Sequence, residues 1–297
     1  MPVWLGFIGL AGLLVAFWIE GIAHMVGVWA ISPTYTHGFL ILPISCCLVA
    51  MGWRRGEGLV PWPIALWGLL AASGLYTVGI KSDIQLIQHT AIVLGIIALA
   101  LFSLGATAAW RHRFALGFLV FAIPFGEELT PALQELTAQA IMGATTLANL
   151  PAIRDGMLIQ TDAGNFSVEE ACAGLRFLTA TVVSAVLMNH LFFTKRRMQA
   201  LFLVSALILP LFANSVRAAG TVLVASWTDM KVAAGVDHLL YGWAFFFVIL
   251  TVLVTGGVVL SDKDAPHRPS PPLVEGESMP ILYIVVAALI ISLPRVI

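Results

Sequence analysis

Apolar runs about as long as a bilayer crossing recur through this chain and constrain its fold more than any other feature. Hydrophobic residues fill 60 % of the 297 positions and charged residues 10 %, against roughly 25 % charged in a soluble domain. The runs cover about 3–21, 37–53, 61–80, 86–109, 114–125, 171–193, 199–227 and 239–260, and a last apolar stretch occupies 280–297. A crossing takes ~20 apolar residues. The fold class expected is therefore an all-α polytopic membrane protein of about eight or nine transmembrane helices. The run at 3–21 has no basic region before it and no small-residue cleavage pattern after it, so it is expected to be a retained span. A net charge of −1, with Lys and Arg in short clusters, excludes a nucleic-acid binder, because phosphate binding needs a basic surface.

Four segments depart from this pattern. His24, Trp29, Pro33 and Tyr35 fall in a short aromatic stretch that reads as interfacial. At 130–149, Leu133, Leu136, Ala140, Met142 and Leu147 alternate at helical spacing with Gln134, Glu135, Gln139 and Asn149, the pattern of a helix lying at the interface. From Arg154 to Val168, Gly and Asp turns bracket alternating apolar residues, which predicts a short β-hairpin. Residues 262–279 are charged and proline-rich and read as a cytoplasmic linker. The organisation expected is a transmembrane catalytic domain at 1–261, that linker, and a partial additional apolar segment at 280–297.

Basic clusters Arg54-Arg55, Arg111-His112-Arg113 and Lys195-Arg196-Arg197 follow the second, fourth and sixth runs, so all three fall on one side of the membrane. The positive-inside rule makes that side cytoplasmic. The interfacial helix, the hairpin and the segment Val168-Glu169-Glu170-Ala171-Cys172-Ala173-Gly174-Leu175-Arg176 then face outward. That segment is the densest in reactive groups: acid, thiol, glycine and base stand at the mouth of an apolar run. A thiol reacts as its thiolate, and the start of a helix favours negative charge. Cys46 and Cys47 lie mid-run and read as structural.

Ionisable residues at membrane depth are functional candidates, since an unpaired charge there is costly. Arg217, in Asn214-Ser215-Val216-Arg217, and His238, at the start of the eighth run, join Cys172. At a rise of 1.5 Å per residue, Cys172 lies about 34 Å from Lys195, Arg217 about 30 Å from Arg197, and His238 about 36 Å from Asp262. Across ~30 Å of hydrocarbon, all three are expected near the outer interface. A thiol, an imidazole and a guanidinium at one depth suit acyl transfer: Cys172 as nucleophile, His238 as acid and base, Arg217 for the oxyanion or a substrate carboxylate. Glu169 and Glu170 either orient His238 or bind a substrate cation, or serve only as favourable charges at a helix start.

Phe166-Ser167-Val168-Glu169-Glu170-Ala171-Cys172-Ala173-Gly174-Leu175-Arg176, then Asn214-Ser215-Val216-Arg217, then His238-Leu239-Leu240-Tyr241-Gly242-Trp243 together resemble the exosortase family. Tyr35-Thr36-His37-Gly38 and Ala122-Ile123-Pro124-Phe125 extend the resemblance upstream. It implies a multi-pass enzyme of the bacterial inner membrane with its active site on the periplasmic side. The activity implied is that of a cysteine peptidase or transpeptidase. The implied partners are exported proteins that carry a C-terminal Pro-Glu-Pro motif, a transmembrane helix and a basic tail. Membrane lipid surrounds the enzyme, and no cofactor or metal is expected. The family's Cys, Arg and His fall on Cys172, Arg217 and His238. Glu169, Glu170, Arg176, Asn214 and His37 are supporting candidates. Ala173 stands where the family often has Ser, which removes a possible hydroxyl donor.

Two other readings compete. Paired glutamates before an arginine also suit a CAAX-type intramembrane metalloprotease, but Arg176 lies too far from Glu169 for that motif, no second histidine motif follows, and a metal needs several such ligands. A transporter or assembly subunit would line a polar path with Arg217 and His238, yet its charges should recur near the midplane, whereas these gather at one face.

Overall fold

The computed structural model describes residues 3–53, 60–228, 237–261 and 280–296, with the side chains of Val3, 237–244, Phe246, Arg295 and Val296 outside that description. Its chain forms two compact units. The first holds α1 (Val3–Phe17), α2 (Ile19–Ile31), α3 (Gly38–Gly52), α4 (Ala65–Ser82), α5 (Gln85–Arg111), α6 (Arg113–Phe118) and α11 (Ile281–Val296). The second holds α7 (Thr130–Leu147), strands β1 (Ala152–Asp155), β2 (Leu158–Thr161) and β3 (Gly164–Ser167), α8 (Leu175–Phe192), α9 (Arg196–Trp227) and α10 (Asp237–Val259).

In the first unit α4 packs along α5, and α11 lies against α4 and α1. The expected single span at 3–21 and interfacial stretch after it are instead two helices, α1 and α2, bent by 81° at Trp18. The bend is held by buried contacts. The Trp18 ring, fully buried, stacks on Tyr76 with centroids 4.7 Å apart, and its Nε1–H donates to the carbonyl of Ile291 at 3.0 Å. The Tyr76 hydroxyl accepts from the N–H of Gly21 at 3.2 Å, and a Cβ on Gly21 would sit 2.7 Å from that oxygen. An aromatic pair and a glycine thus fix an angle that hydropathy does not encode. His37 precedes α3, with its Nδ1 3.1 Å from the carbonyl of Thr34.

In the second unit α7 matches the expected amphipathic helix at 130–149. The predicted hairpin gains a strand: β1, β2 and β3 form an antiparallel meander, with Thr161 opposite Gly164 across the second turn. One apolar core joins the sheet to two helices, through Ala138 and Ile141 of α7, Ile159 of β2, Val168, and Ala219 and Val222 of α9. Arg154 grips Glu135 on α7 with both Nη atoms, at 3.0 and 2.5 Å, and so ties β1 to that helix. α8 and α9 pack against each other, and α10 against both. Pro210 inside α9 has no N–H for the carbonyl of Ala206, and the Thr181 hydroxyl lies 3.2 Å from that carbonyl, within reach of it as well as of the Phe177 and Leu178 carbonyls.

Among the described residues three helices are long and apolar enough to cross a membrane, α5, α8 and α9. The number rises to five if each of two bent pairs is one span. The eight or nine apolar runs therefore do not all become full-length helices. α1 has 15 residues and α3 has 15, about 22 Å each at the α-helical rise, short of ~30 Å of hydrocarbon.

Candidate active site

Sequence reasoning puts Cys172 at a helix start, but α8 begins three residues later. Cys172 closes a short 3₁₀ turn, Glu170–Cys172, in which its N–H donates to the carbonyl of Glu169 at 2.9 Å. Gly174 then reverses the chain into α8 with a left-handed φ of +83°, a conformation open to glycine at little cost. A Cβ there would meet Asn214 at 2.7 Å from Cγ and 2.9 Å from Nδ2. The backbone of the Cys-Ala-Gly turn is therefore seated directly on the Asn214 carboxamide.

That carboxamide connects most of the site. Its Nδ2 donates to the backbone carbonyl of Cys172 at 2.8 Å and faces the Thr137 hydroxyl at 3.2 Å. Its Oδ1 accepts from Arg217 Nη2 at 3.1 Å. Asn214 is only 2 % exposed, and a buried amide left without these partners would carry a desolvation penalty of about 1–3 kcal/mol. The Thr137 hydroxyl passes its own proton to the carbonyl of Leu133 at 2.9 Å, so it is free to accept from Asn214. Asn214 and Arg217 are three residues apart on α9, which puts them on one helix face. The Arg217 guanidinium also lies over the Phe177 ring, 5.6 Å from its centroid. Its Nε–H is buried and has no partner among the described residues, so one directed donor is unspent.

Cys172, Arg217 and Glu169 share the wall of one cavity of about 320 Å³, together with Thr137 and Ile141 of α7, residues 165–168, and Thr221 and Val222 of α9. The sheet is anchored beside it by Gln134, whose Nε2 donates to the carbonyl of Val168 at 2.8 Å, one residue before Glu169. Of the other sequence candidates, Glu170 is exposed and Arg176 is the second residue of α8. Neither lines the cavity. His37 belongs to the first unit. His238 is the second residue of α10, and its side chain lies outside the described residues. Among the described residues no three His, Cys, Asp or Glu side chains gather into a cluster that could hold a metal ion.

Two residues of this network lie outside every motif in the sequence: Gln134 and Thr137. Gln134 and Thr137 are polar positions three apart on one face of α7, and that spacing is visible in the sequence. What they bond to is not. Gly174 is visible in the motif two residues after the cysteine, but its need to be glycine comes from Asn214, forty residues on.

A search of curated proteins and one of solved structures return no match. A family model does match, over residues 29–255, a range that includes the cavity, Cys172, Arg217 and His238, and its description is transmembrane exosortase (Exosortase_EpsH). With that match over most of its length, and with apolar helices of crossing length in both of its halves, this multi-pass membrane protein belongs to the transmembrane exosortase family.

Proposed function

We propose that this protein is a membrane-embedded cysteine transpeptidase that cleaves the C-terminal Pro-Glu-Pro sorting signals of exported proteins through a thioester on Cys172. The observation that carries the reading is the shared cavity, in which a nucleophile and a cation with an unspent donor line one wall.

The steps follow from the chemistry of these groups. Cys172 Sγ adds to the carbonyl carbon of the scissile peptide bond, and the carbonyl oxygen becomes an oxyanion. Arg217 supplies positive charge and N–H donors to that oxygen, held in aim by Asn214 and by the Phe177 ring. The C–N bond then breaks, and the leaving amine takes a proton, a role assigned to His238. An incoming nucleophile, water or an amine, gives a proton to the same imidazole and attacks the thioester, and Cys172 leaves as the thiolate in which it attacked. On this reading the bundle crosses a bacterial inner membrane eight or nine times, with the shorter apolar helices completing it. The basic clusters then lie in the cytoplasm and the cavity opens to the periplasm.

The test is a covalent trap. Parent protein incubated with an activated ester of a signal peptide should gain the acyl mass on Cys172. Cys172→Ala should gain none and process no co-expressed substrate, whereas the Cys46→Ala, Cys47→Ala double variant should do both. Substrate processing by Cys172→Ala at the parent level would end the proposal.

A further inference from the structure

The sheet beside Cys172 has an edge that no other strand among the described residues pairs with. In the order β1-β2-β3 the third strand is paired on one side only. The register fixes which backbone groups it leaves open. The N–H of Val168 donates to the carbonyl of Met157 at 2.9 Å, one step beyond the Leu158–Ser167 pair. Hydrogen-bonded pairs alternate along an antiparallel ladder, so Phe166 bonds to Ile159, while Asn165 and Ser167 turn their N–H and C=O groups away from β2. Among the described residues those four groups have no partner. Proteins protect open edges with charge, proline, bulges or a covering element. β3 reads Gly-Asn-Phe-Ser and carries none of the first three.

This edge also lies where a substrate must come. Asn165, Phe166 and Ser167 line the cavity that holds Cys172 and Arg217, whereas no residue of β1 or β2 does. The strand then runs through Val168 and Glu169 into the turn that ends at Cys172. We propose that β3 is the substrate-docking strand: an extended peptide adds to it as a fourth strand, bonded to the backbones of Asn165 and Ser167, and is thereby led to the thiol. The occupant is the polypeptide to be cleaved, because it must enter this cavity in any case and an extended main chain is what four ladder groups recognise. A lipid acyl chain offers no ladder of alternating donors and acceptors.

The proposal rests on the transpeptidase reading and sharpens it. Residues i and i+2 of an extended chain present their N–H positions to the same side, and proline has no N–H to give. In a Pro-Glu-Pro segment both prolines therefore face away from β3, and the glutamate between them offers its N–H and C=O to one residue of the strand. Recognition would then read the spacing of the two prolines through the backbone, with the scissile bond further along the same strand.

Binding, which needs no chemistry, separates this from the catalytic reading. A fluorescent signal peptide is titrated into detergent-solubilised Cys172→Ala protein, and into the same protein with Ser167→Pro or Ser167→Ala added. Proline at this edge removes an outward N–H and no bond to β2. One lost ladder bond, at about 1 kcal/mol, corresponds to about a fivefold rise in Kd for Ser167→Pro, while Ser167→Ala, which keeps the backbone, should stay near the parent value. An unchanged Kd for Ser167→Pro, or equal losses for both variants, would overturn the docking strand. As a second measurement independent of folding, the parent protein is given a peptide whose Glu amide is replaced by an ester. A KM about fivefold higher supports the pairing, and an unchanged KM overturns it. The transpeptidase reading fails on a different result, processing by Cys172→Ala.

Discussion

Replacing Gly174 by Ala adds one methyl group at the point where the Cys172 turn rests on Asn214. Two effects sum there, and the structure allows each to be measured alone. The first is backbone strain: φ is +83°, and an L-residue in the left-handed region costs about 1–2 kcal/mol. The second is collision, since the new Cβ would lie 2.7 Å from Asn214 Cγ, where ordinary contact begins at 3.4 Å. Asn214 has to retreat by about 0.7 Å, enough to stretch a 2.8 Å bond to the Cys172 carbonyl past useful length. At about 1 kcal/mol for each compromised bond, loss of the contacts to Cys172, Thr137 and Arg217 brings the total to roughly 4–5 kcal/mol. Gly156 has a φ of +58° with nothing within 4 Å of an added Cβ, so Gly156→Ala reports strain only. Gly220 has open space and no positive φ, so Gly220→Ala is expected to be neutral or to stabilise by up to about 1 kcal/mol. Unfolding in mixed micelles, read by tryptophan fluorescence, should order the three variants Gly220→Ala, Gly156→Ala, Gly174→Ala from most to least stable. Signal-peptide cleavage should fall about a hundredfold in Gly174→Ala alone, as a misplacement near 1 Å can cost that much. Equal stability of Gly156→Ala and Gly174→Ala, with cleavage intact in both, would refute the seating of the turn on Asn214.

Arg217→Lys should reduce cleavage by at least about tenfold, because an ammonium cannot hold Asn214 Oδ1 and a substrate oxygen with a rigid planar fork. Initial rates at saturating peptide check this, and a parent-like kcat would show that point charge suffices. Ser103 is 3 % exposed, and its hydroxyl, at a separate apolar cavity of about 350 Å³ in the first unit, has no partner among the described residues. Removing an unpaired buried hydroxyl spares its desolvation penalty, so Ser103→Ala should leave the unfolding midpoint unchanged or raise it. A loss above about 1 kcal/mol would contradict the absence of a partner. For orientation, a membrane-impermeant thiol reagent applied to intact spheroplasts should label a cysteine placed at Asn165 but not one at Arg113 or Arg196, and the reverse pattern would invert the proposed topology.

Much of the site was legible because the signals that mark it are local. Composition dictated a membrane fold. The mixed polar and apolar spacing at 130–149 marked α7, and the turn residues around Arg154 and Asp162 marked the sheet, although two strands were expected and three form, each only four residues long. The density of reactive groups around Cys172 and the lone cation at Arg217 needed no coordinates. Periodicity reports which face a segment buries, not what it meets, so the contacts that organise the site could be decided only by the tertiary structure. The Asn214 carboxamide bonds Thr137 at a separation of 77 residues and Cys172 at 42. Trp18 donates to Ile291 across 273. The bend at Trp18 and the obligate glycine at 174 have the same origin: each is imposed by a side chain remote in sequence, Tyr76 in one case and Asn214 in the other, whose position no local pattern contains.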